Sequence, residues 1–161
     1  MRLSSALFVC AFGAMSLVAC GDDDDATTPA RERYVVTLNG LNEKPNAVTT
    51  TATGSAVVTV LSPDSIEWVV YVSGMDSITA GHFHAGDVNS SGPVMYFTFG
   101  GPTTGRGVTG VLNSGIATRQ STFSGVFNYD SLLKRIRAGT TYLNVHTRRY
   151  PPGEIRGQVS P

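Results

Sequence analysis

Short runs of alternating apolar and polar side chains dominate the chain from about residue 34 onward. The clearest run covers residues 66–72, where every second position is apolar: Ile66, Trp68, Val70 and Val72. Neighbouring side chains of a β-strand point to opposite faces of the sheet. The run therefore predicts a strand with one face in a hydrophobic core and the other face nearer to water.

Runs of this kind recur along the chain, and glycine, proline, asparagine, aspartate or serine separates nearly all of them. We predict strands at residues 34–38, 55–61, 66–72, 94–99, 108–112, 122–127, 142–147 and 155–159. Many short strands with glycine-rich corners are typical of antiparallel sheets and not of alternating strand and helix units. The sequence predicts an all-β fold, an antiparallel β-sandwich of the Greek-key or immunoglobulin-like type.

A single short helix is predicted at residues 130–138, with Asp130 as its N-cap and Gly139 at its C-terminal stop. Its last turn carries the closest cluster of basic residues in the chain: Lys134, Arg135 and Arg137. Positive charge is favourable there because it complements the helix dipole. The chain after residue 30 has a net charge of only +3, from eleven basic and eight acidic residues. We therefore expect no nucleic-acid partner.

The beginning of the chain predicts export. Arg2 precedes an apolar run that ends in small residues and stops at four consecutive aspartates, and this run is shorter than the roughly 20 residues of a spanning helix. Residues 17–20, Leu-Val-Ala-Cys, are similar to a bacterial lipobox, where the signal is cleaved before a cysteine that receives lipid. We predict a signal peptide at residues 1–19, a lipidated Cys20 with an acidic flexible tether at residues 20–33, and one domain at residues 34–161.

This organisation predicts an exported protein that a lipid anchors to a membrane of the cell envelope, on its periplasmic or its surface face. Acyl chains bind membranes strongly because each buried CH₂ contributes about 0.8 kcal/mol. Cys10 would leave with the signal and Cys20 would be acylated, so neither cysteine of the chain remains for an intramolecular disulfide. The domain must therefore be stabilised by packing.

Two histidine-bearing stretches carry a family resemblance. One is Gly-His-Phe-His-Ala-Gly-Asp at residues 81–87, and the other begins Tyr-Leu-Asn-Val-His-Thr at residue 142 and leads to Pro-Gly-Glu-Ile-Arg-Gly-Gln at residues 152–158. Together they resemble the CHRD domain, the module named after chordin, and the resemblance extends over residues 34–159. It implies a β-sandwich, secretion and no generally established enzyme activity. Growth-factor antagonism is not implied, because chordin's other modules are missing from this chain.

Strand parity places His82 and His84 on one face of their strand, and it also assigns polar faces to His146, Glu154 and Arg156. All three histidines of the chain could thus join Glu154 and Arg156 in one polar cluster. Three imidazoles are suitable ligands for a zinc or copper ion. The alternative is a hydrogen-bonded network that fixes the strand ends without a metal.

Two classes of function follow from these features. The first is a non-enzymatic binding or structural module in the envelope, with the membrane and an unidentified protein or small ligand as partners. The second is a mononuclear zinc or copper protein, or a hydrolytic metalloenzyme, that uses the three histidines. The dinuclear site of copper-zinc superoxide dismutase needs more than three histidines. Sequence signatures of serine hydrolases, phosphate-binding loops and helical zinc proteases are missing as well. We therefore expect the first class.

Overall fold

The structure is a computed structural model that describes residues 31–161. The predicted signal peptide, Cys20 and most of the tether lie outside this range. The elements within it are β1 (Arg33–Asn39), a 3-10 turn (Gly40–Asn42), β2 (Thr53–Ser62), β3 (Ser65–Met75), β4 (Ile78–Ala85), β5 (Val94–Gly100), β6 (Val108–Thr118), α1 (Tyr129–Arg137), β7 (Thr141–Thr147) and β8 (Ile155–Val159). Among the described residues, α1 is far too short and polar to cross a membrane.

The eight strands form one antiparallel sheet in the order β5-β4-β7-β8-β1-β2-β3-β6. Its two end strands approach each other, and the side-chain amide of Asn113 on β6 donates a hydrogen bond to the carbonyl of Thr98 on β5. The predicted all-β, antiparallel fold is confirmed. However, the strands form a nearly closed, barrel-like sheet and not the two separate sheets expected for a sandwich.

The inside of this sheet is the hydrophobic core. The apolar positions predicted on β3 all point into it, with exposed fractions between 0% and 4%: Ile66, Trp68, Val70 and Val72. Helix α1 adds the buried side chains of Leu132, Leu133 and Ile136. The period-2 pattern on β3 therefore predicted the correct face.

The short helix is present, but its N-cap differs from the prediction. Asn128 caps the helix by accepting a hydrogen bond from the backbone N–H of Ser131 at 2.9 Å, and the Ser131 hydroxyl is within 2.9 Å of the Asn128 N–H. Asp130 lies in the first turn, where its carboxylate pairs with Arg119 at 2.6 Å. Gly139 follows the C-cap with φ of +64°, which suits the left-handed termination of a helix.

The strand predicted at residues 122–127 does not form. Its aromatic side chains pack without a strand partner, and the Phe123 ring lies 5.0 Å from the Tyr96 ring. Gly125 has φ of +59°, so the backbone turns in the middle of the segment. By contrast, the residues around His82 and His84 form strand β4, which was not among the predicted runs and pairs with β5 and β7 through register shifts.

Candidate metal centre

Strands β4, β7 and β8 carry runs of consecutive buried residues, so they are buried on both faces. All seven residues of β7 are buried. Leu143 and Val145 belong to the hydrophobic core, whereas Asn144 and His146 alternate with them and lie on the outer side of the sheet. Backbone carbonyls of the loops after β4 and β7 hydrogen-bond to side chains there. These loops keep the outer side chains largely away from water.

The three histidines meet on this covered outer side, and we call them the three-histidine site (His82, His84 and His146). The ring of His146 lies 4.7 Å from that of His82 and 5.7 Å from that of His84, measured between centroids. One nitrogen from each ring lies within 4.8 Å of the other two. The pairing of β4 with β7 causes this arrangement, since Ala80 lies opposite His146 and His82 lies opposite Asn144.

Two backbone carbonyls fix the orientation of two of the rings. His84 Nδ1 lies 2.9 Å from the carbonyl oxygen of Gly92, and His146 Nδ1 lies 2.9 Å from the carbonyl oxygen of Pro151. A carbonyl oxygen can only accept, so Nδ1 carries the proton in both rings. In a neutral imidazole the Nε2 atom then has a free lone pair. The His84 lone pair has no partner among the described residues, and the His146 lone pair faces the Nδ1 atom of His82.

His82 completes the site through its contact with His146. Its Nδ1 lies 2.9 Å from His146 Nε2, so without an ion the Nδ1–H of His82 donates to the His146 lone pair. The Nε2 atoms of His82 and His84 are buried and have no hydrogen-bond partner among the described residues. Two lone pairs on buried nitrogens are thus left without a donor from the protein.

Gly92 can deliver its carbonyl to His84 only because it is glycine. A Cβ at this position would collide with the carbonyl oxygen of Ala85, at the end of β4. The same residue is held by Tyr142, whose hydroxyl accepts a hydrogen bond from the Gly92 N–H at 3.0 Å. Gly92, in the loop that follows the first histidine stretch, therefore positions the acceptor for His84.

Burial keeps the three imidazoles neutral. Removal from water lowers the pKa of His82 to about 3, with further lowering from the neighbouring His146 and His84. Burial also lowers the pKa of His84 to about 4, although its hydrogen bond to Gly92 works in the opposite direction. The pKa of His146 is lowered for the same principal reason. Near neutral pH all three rings therefore retain a lone pair, which is the form that binds metals.

The spacing of the nitrogens suits one transition metal ion. Tetrahedral zinc with bonds of about 2.0 to 2.1 Å separates two ligand nitrogens by about 3.3 to 3.4 Å. One nitrogen from each ring lies within 4.8 Å of a nitrogen of the other two rings. Side-chain shifts of roughly one ångström would bring all three to bonding positions.

The other two residues of the predicted polar cluster lie at the edges of the site. The Glu154 carboxylate accepts hydrogen bonds from the hydroxyls of Thr50 and Thr147, both at 2.7 Å. The Arg156 guanidinium lies over the Tyr142 ring, 3.5 Å from its centroid. Neither side chain is hydrogen-bonded to an imidazole in the described part of the chain. The three rings themselves contact one another, with centroids 4.7 to 5.7 Å apart.

Three residues around the site were not predicted. Tyr142 stacks on His84 with ring centroids 4.8 Å apart, and Phe97 contacts His82 edge-on at 4.4 Å. Glu43 is buried and accepts a hydrogen bond from the amide of Asn144, and burial raises its pKa to about 7. Tyr142 shares its strand parity with His146 and could have been found by the same reasoning. Nothing local to Phe97 or Glu43 indicates where those residues lie.

The comparisons with known proteins identify a family. A family model described as the CHRD domain matches residues 34–159, which covers every strand of the sheet except the first residue of β1. No curated protein matches the chain, and no solved structure matches it either.

Proposed function

The chain belongs to the CHRD-domain family, and we propose that its domain is a non-enzymatic module of the cell envelope that binds one zinc or copper ion at the three-histidine site. The observation that carries this proposal is the pair of Nδ1–H groups bonded to the carbonyls of Gly92 and Pro151. Histidine ligands of metals are usually fixed in this way by a hydrogen bond at their second nitrogen. One nitrogen from each of the three rings lies within 4.8 Å of the other two.

A hydrogen-bonded network explains less of this geometry. Buried polar groups in a structural network normally find partners, because an unsatisfied group costs about 1 to 3 kcal/mol. Here the Nε2 atoms of His82 and His84 are buried without a partner among the described residues. A metal ion accepts such lone pairs, and imidazole is a preferred ligand of both zinc and copper.

The surroundings of the site favour ion binding over catalysis. The three histidines are only 7% to 8% exposed, and Phe97 covers the His82 ring. A catalytic metal needs an open position and commonly a nearby acid or base. The Glu154 carboxylate accepts hydrogen bonds from two threonines, and the Glu43 carboxylate is bonded to Asn144 through one of its two oxygens. We therefore propose that the site holds an ion and does not turn over a substrate.

Metal analysis tests this proposal. The chain from Arg31 to Pro161, purified without chelators or a polyhistidine tag, is expected to bind about one zinc or copper ion per molecule. His146→Ala removes one of three ligands and should weaken binding by at least about 100-fold, more than the loss of an outer partner. Element analysis and titration with each metal measure both quantities.

Glu154→Gln is the control for that experiment, since this carboxylate accepts hydrogen bonds from Thr50 and Thr147 and makes none with an imidazole of the described chain. It should leave the metal content unchanged. If His146→Ala unfolds more easily but binds metal like the parent, or if neither metal binds the parent, the histidines are a structural network.

We also propose that Cys20 anchors the mature protein in an envelope membrane. The support is the Leu-Val-Ala-Cys motif at residues 17–20 and the block of aspartates behind it. Cys20→Ala should leave the protein unprocessed or move it from the membrane fraction to the soluble fraction. Fractionation and the mass of the mature chain measure the change. A variant that matures and fractionates like the parent would exclude the lipid anchor.

A further inference from the structure

A cavity of about 290 Å³ lies beside Arg156, outside the three-histidine site. Polar and basic side chains make up most of its lining: Asn42, Lys44, Val88, Asn89, Arg156 and Gln158. Its volume is near the lower limit of small-molecule sites, so it suits one functional group of a ligand or a very small ligand.

Arg156 is the unusual residue of this lining, because its charge is buried without an ion-pair partner. The residue is 2% exposed, and none of the salt bridges formed by the described residues includes it. The Tyr142 ring lies against its guanidinium, and one N–H donates to the backbone carbonyl of Asp87. A guanidinium has five N–H donors, so most of its hydrogen-bonding capacity is unused by the described protein atoms.

The nearest acidic groups form no ion pair with Arg156 among the described residues. The Asp87 carboxylate is turned towards its own loop, where it accepts from the Asn89 N–H at 2.9 Å and the Ser90 hydroxyl at 3.0 Å. The Glu43 carboxylate accepts from Asn144, and burial raises its pKa to about 7, so it carries only part of a charge near neutrality. Lys44 adds a second positive charge at the cavity wall.

We infer that this cavity is a binding site for an oxyanion, the carboxylate or phosphate group of a small ligand, which Arg156 and Lys44 hold together. A buried charge is costly unless it is paired. The planar fork of a guanidinium matches the two oxygens of a carboxylate or phosphate, and the stacked Tyr142 ring keeps that fork in place. The inference concerns a different set of side chains from the metal site and does not depend on it.

Thermal unfolding of the lipidated full chain tests the inference. The protein is kept in a neutral detergent, its metal is removed with a chelator, and the chelator is then dialysed away. The probes are inorganic phosphate and succinate, each titrated at constant ionic strength against chloride. The melting temperature is expected to rise to a plateau with at least one probe, and the probe that acts identifies the class of oxyanion. Lys44→Gln should raise the probe concentration at the midpoint of that curve about fivefold or more, and Arg156→Lys should raise it about tenfold or more.

Lys134→Gln is the matched control, because Lys134 is an exposed lysine on α1 that does not line the cavity. Its titration curve should coincide with that of the parent. No saturable effect of either probe on the parent would overturn the inference. Equal curves for Lys44→Gln and Lys134→Gln would overturn it too, since the effect would then arise from general charge screening. Because Lys44 is only half-buried, its replacement tests the site even if Arg156→Lys fails to fold.

Discussion

Trp68→Ala is expected to lower the free energy of unfolding by about 3 to 5 kcal/mol, the usual loss for a large aromatic side chain removed from a core. Trp68 is 4% exposed, and its ring meets those of Phe83 and Tyr96 edge-on at 6.0 and 5.3 Å. A Cβ at Gly115 would overlap with the indole, so the glycine on the neighbouring strand leaves room for it. The indole therefore fills space between opposite parts of the sheet.

Tyr71→Ala is the matched control for this prediction. Tyr71 lies on the same strand with the opposite parity and is 42% exposed. Its loss should cost less than about 1 kcal/mol, as is common for partly exposed positions. Denaturant unfolding is followed by circular dichroism and not by tryptophan fluorescence, because Trp68 is the only tryptophan of the chain and the substitution removes it. Equal midpoints for the two variants would contradict the inward orientation of Trp68.

The buried face of β3 could be predicted because alternation is a local property of a strand. Every second residue of 66–72 is apolar, although Val69 on the opposite face is apolar too, and neighbouring strands do not alter which side each residue occupies. The number of sheets, by contrast, is not determined by the local sequence of any one strand. Alternating strands are compatible with a sandwich and with a barrel-like sheet, and the difference depends on the approach of β5 to β6, where Asn113 reaches Thr98.

The error at residues 122–127 has the same physical origin. Phe123 and Phe127 have the spacing of a buried strand face, but they pack against the core from a turn that leads into α1. The backbone hydrogen bond from Ser124 N–H to the carbonyl of Met95 is a single tertiary contact and not part of a ladder. Strand propensity did not reveal that the segment has no continuous partner.

For the candidate site, parity assigned faces to side chains but could not assign their partners. It put Glu154 and Arg156 on polar faces, yet Glu154 bonds to threonines from two other segments and Arg156 stacks on Tyr142. The acceptor for His84 comes from a loop glycine and the acceptor for His146 from a loop proline. Such backbone acceptors leave no signal in residue type, so the protonation of the rings became evident only from the structure.

Acid is expected to destabilise the metal-free protein through its histidines. The folded-state pKa of His82 is about 3 and that of His84 about 4, whereas both are near 6.5 in an unfolded chain. As the pH falls, the unfolded state therefore binds protons before the folded state does. Stability begins to decrease below about pH 6.5 and keeps decreasing until the pH reaches the folded-state pKa values. Each proton taken up only on unfolding changes the stability by about 1.4 kcal/mol per pH unit.

Glu43 acts in the opposite direction within part of this range. Burial raises its pKa from 4.5 to about 7, so between these values the folded state binds the proton and acidification favours folding. In a Glu43→Gln background the loss of stability with falling pH should therefore be steeper than in the parent.

Adding His82→Gln to that background removes one histidine and should make the curve of stability against pH shallower by about 1.4 kcal/mol per pH unit between about pH 6 and pH 4. Urea unfolding at a series of pH values measures these slopes. Parallel curves with and without His82 would mean that its pKa is the same in the folded and unfolded states, and that the ring is not held neutral by burial.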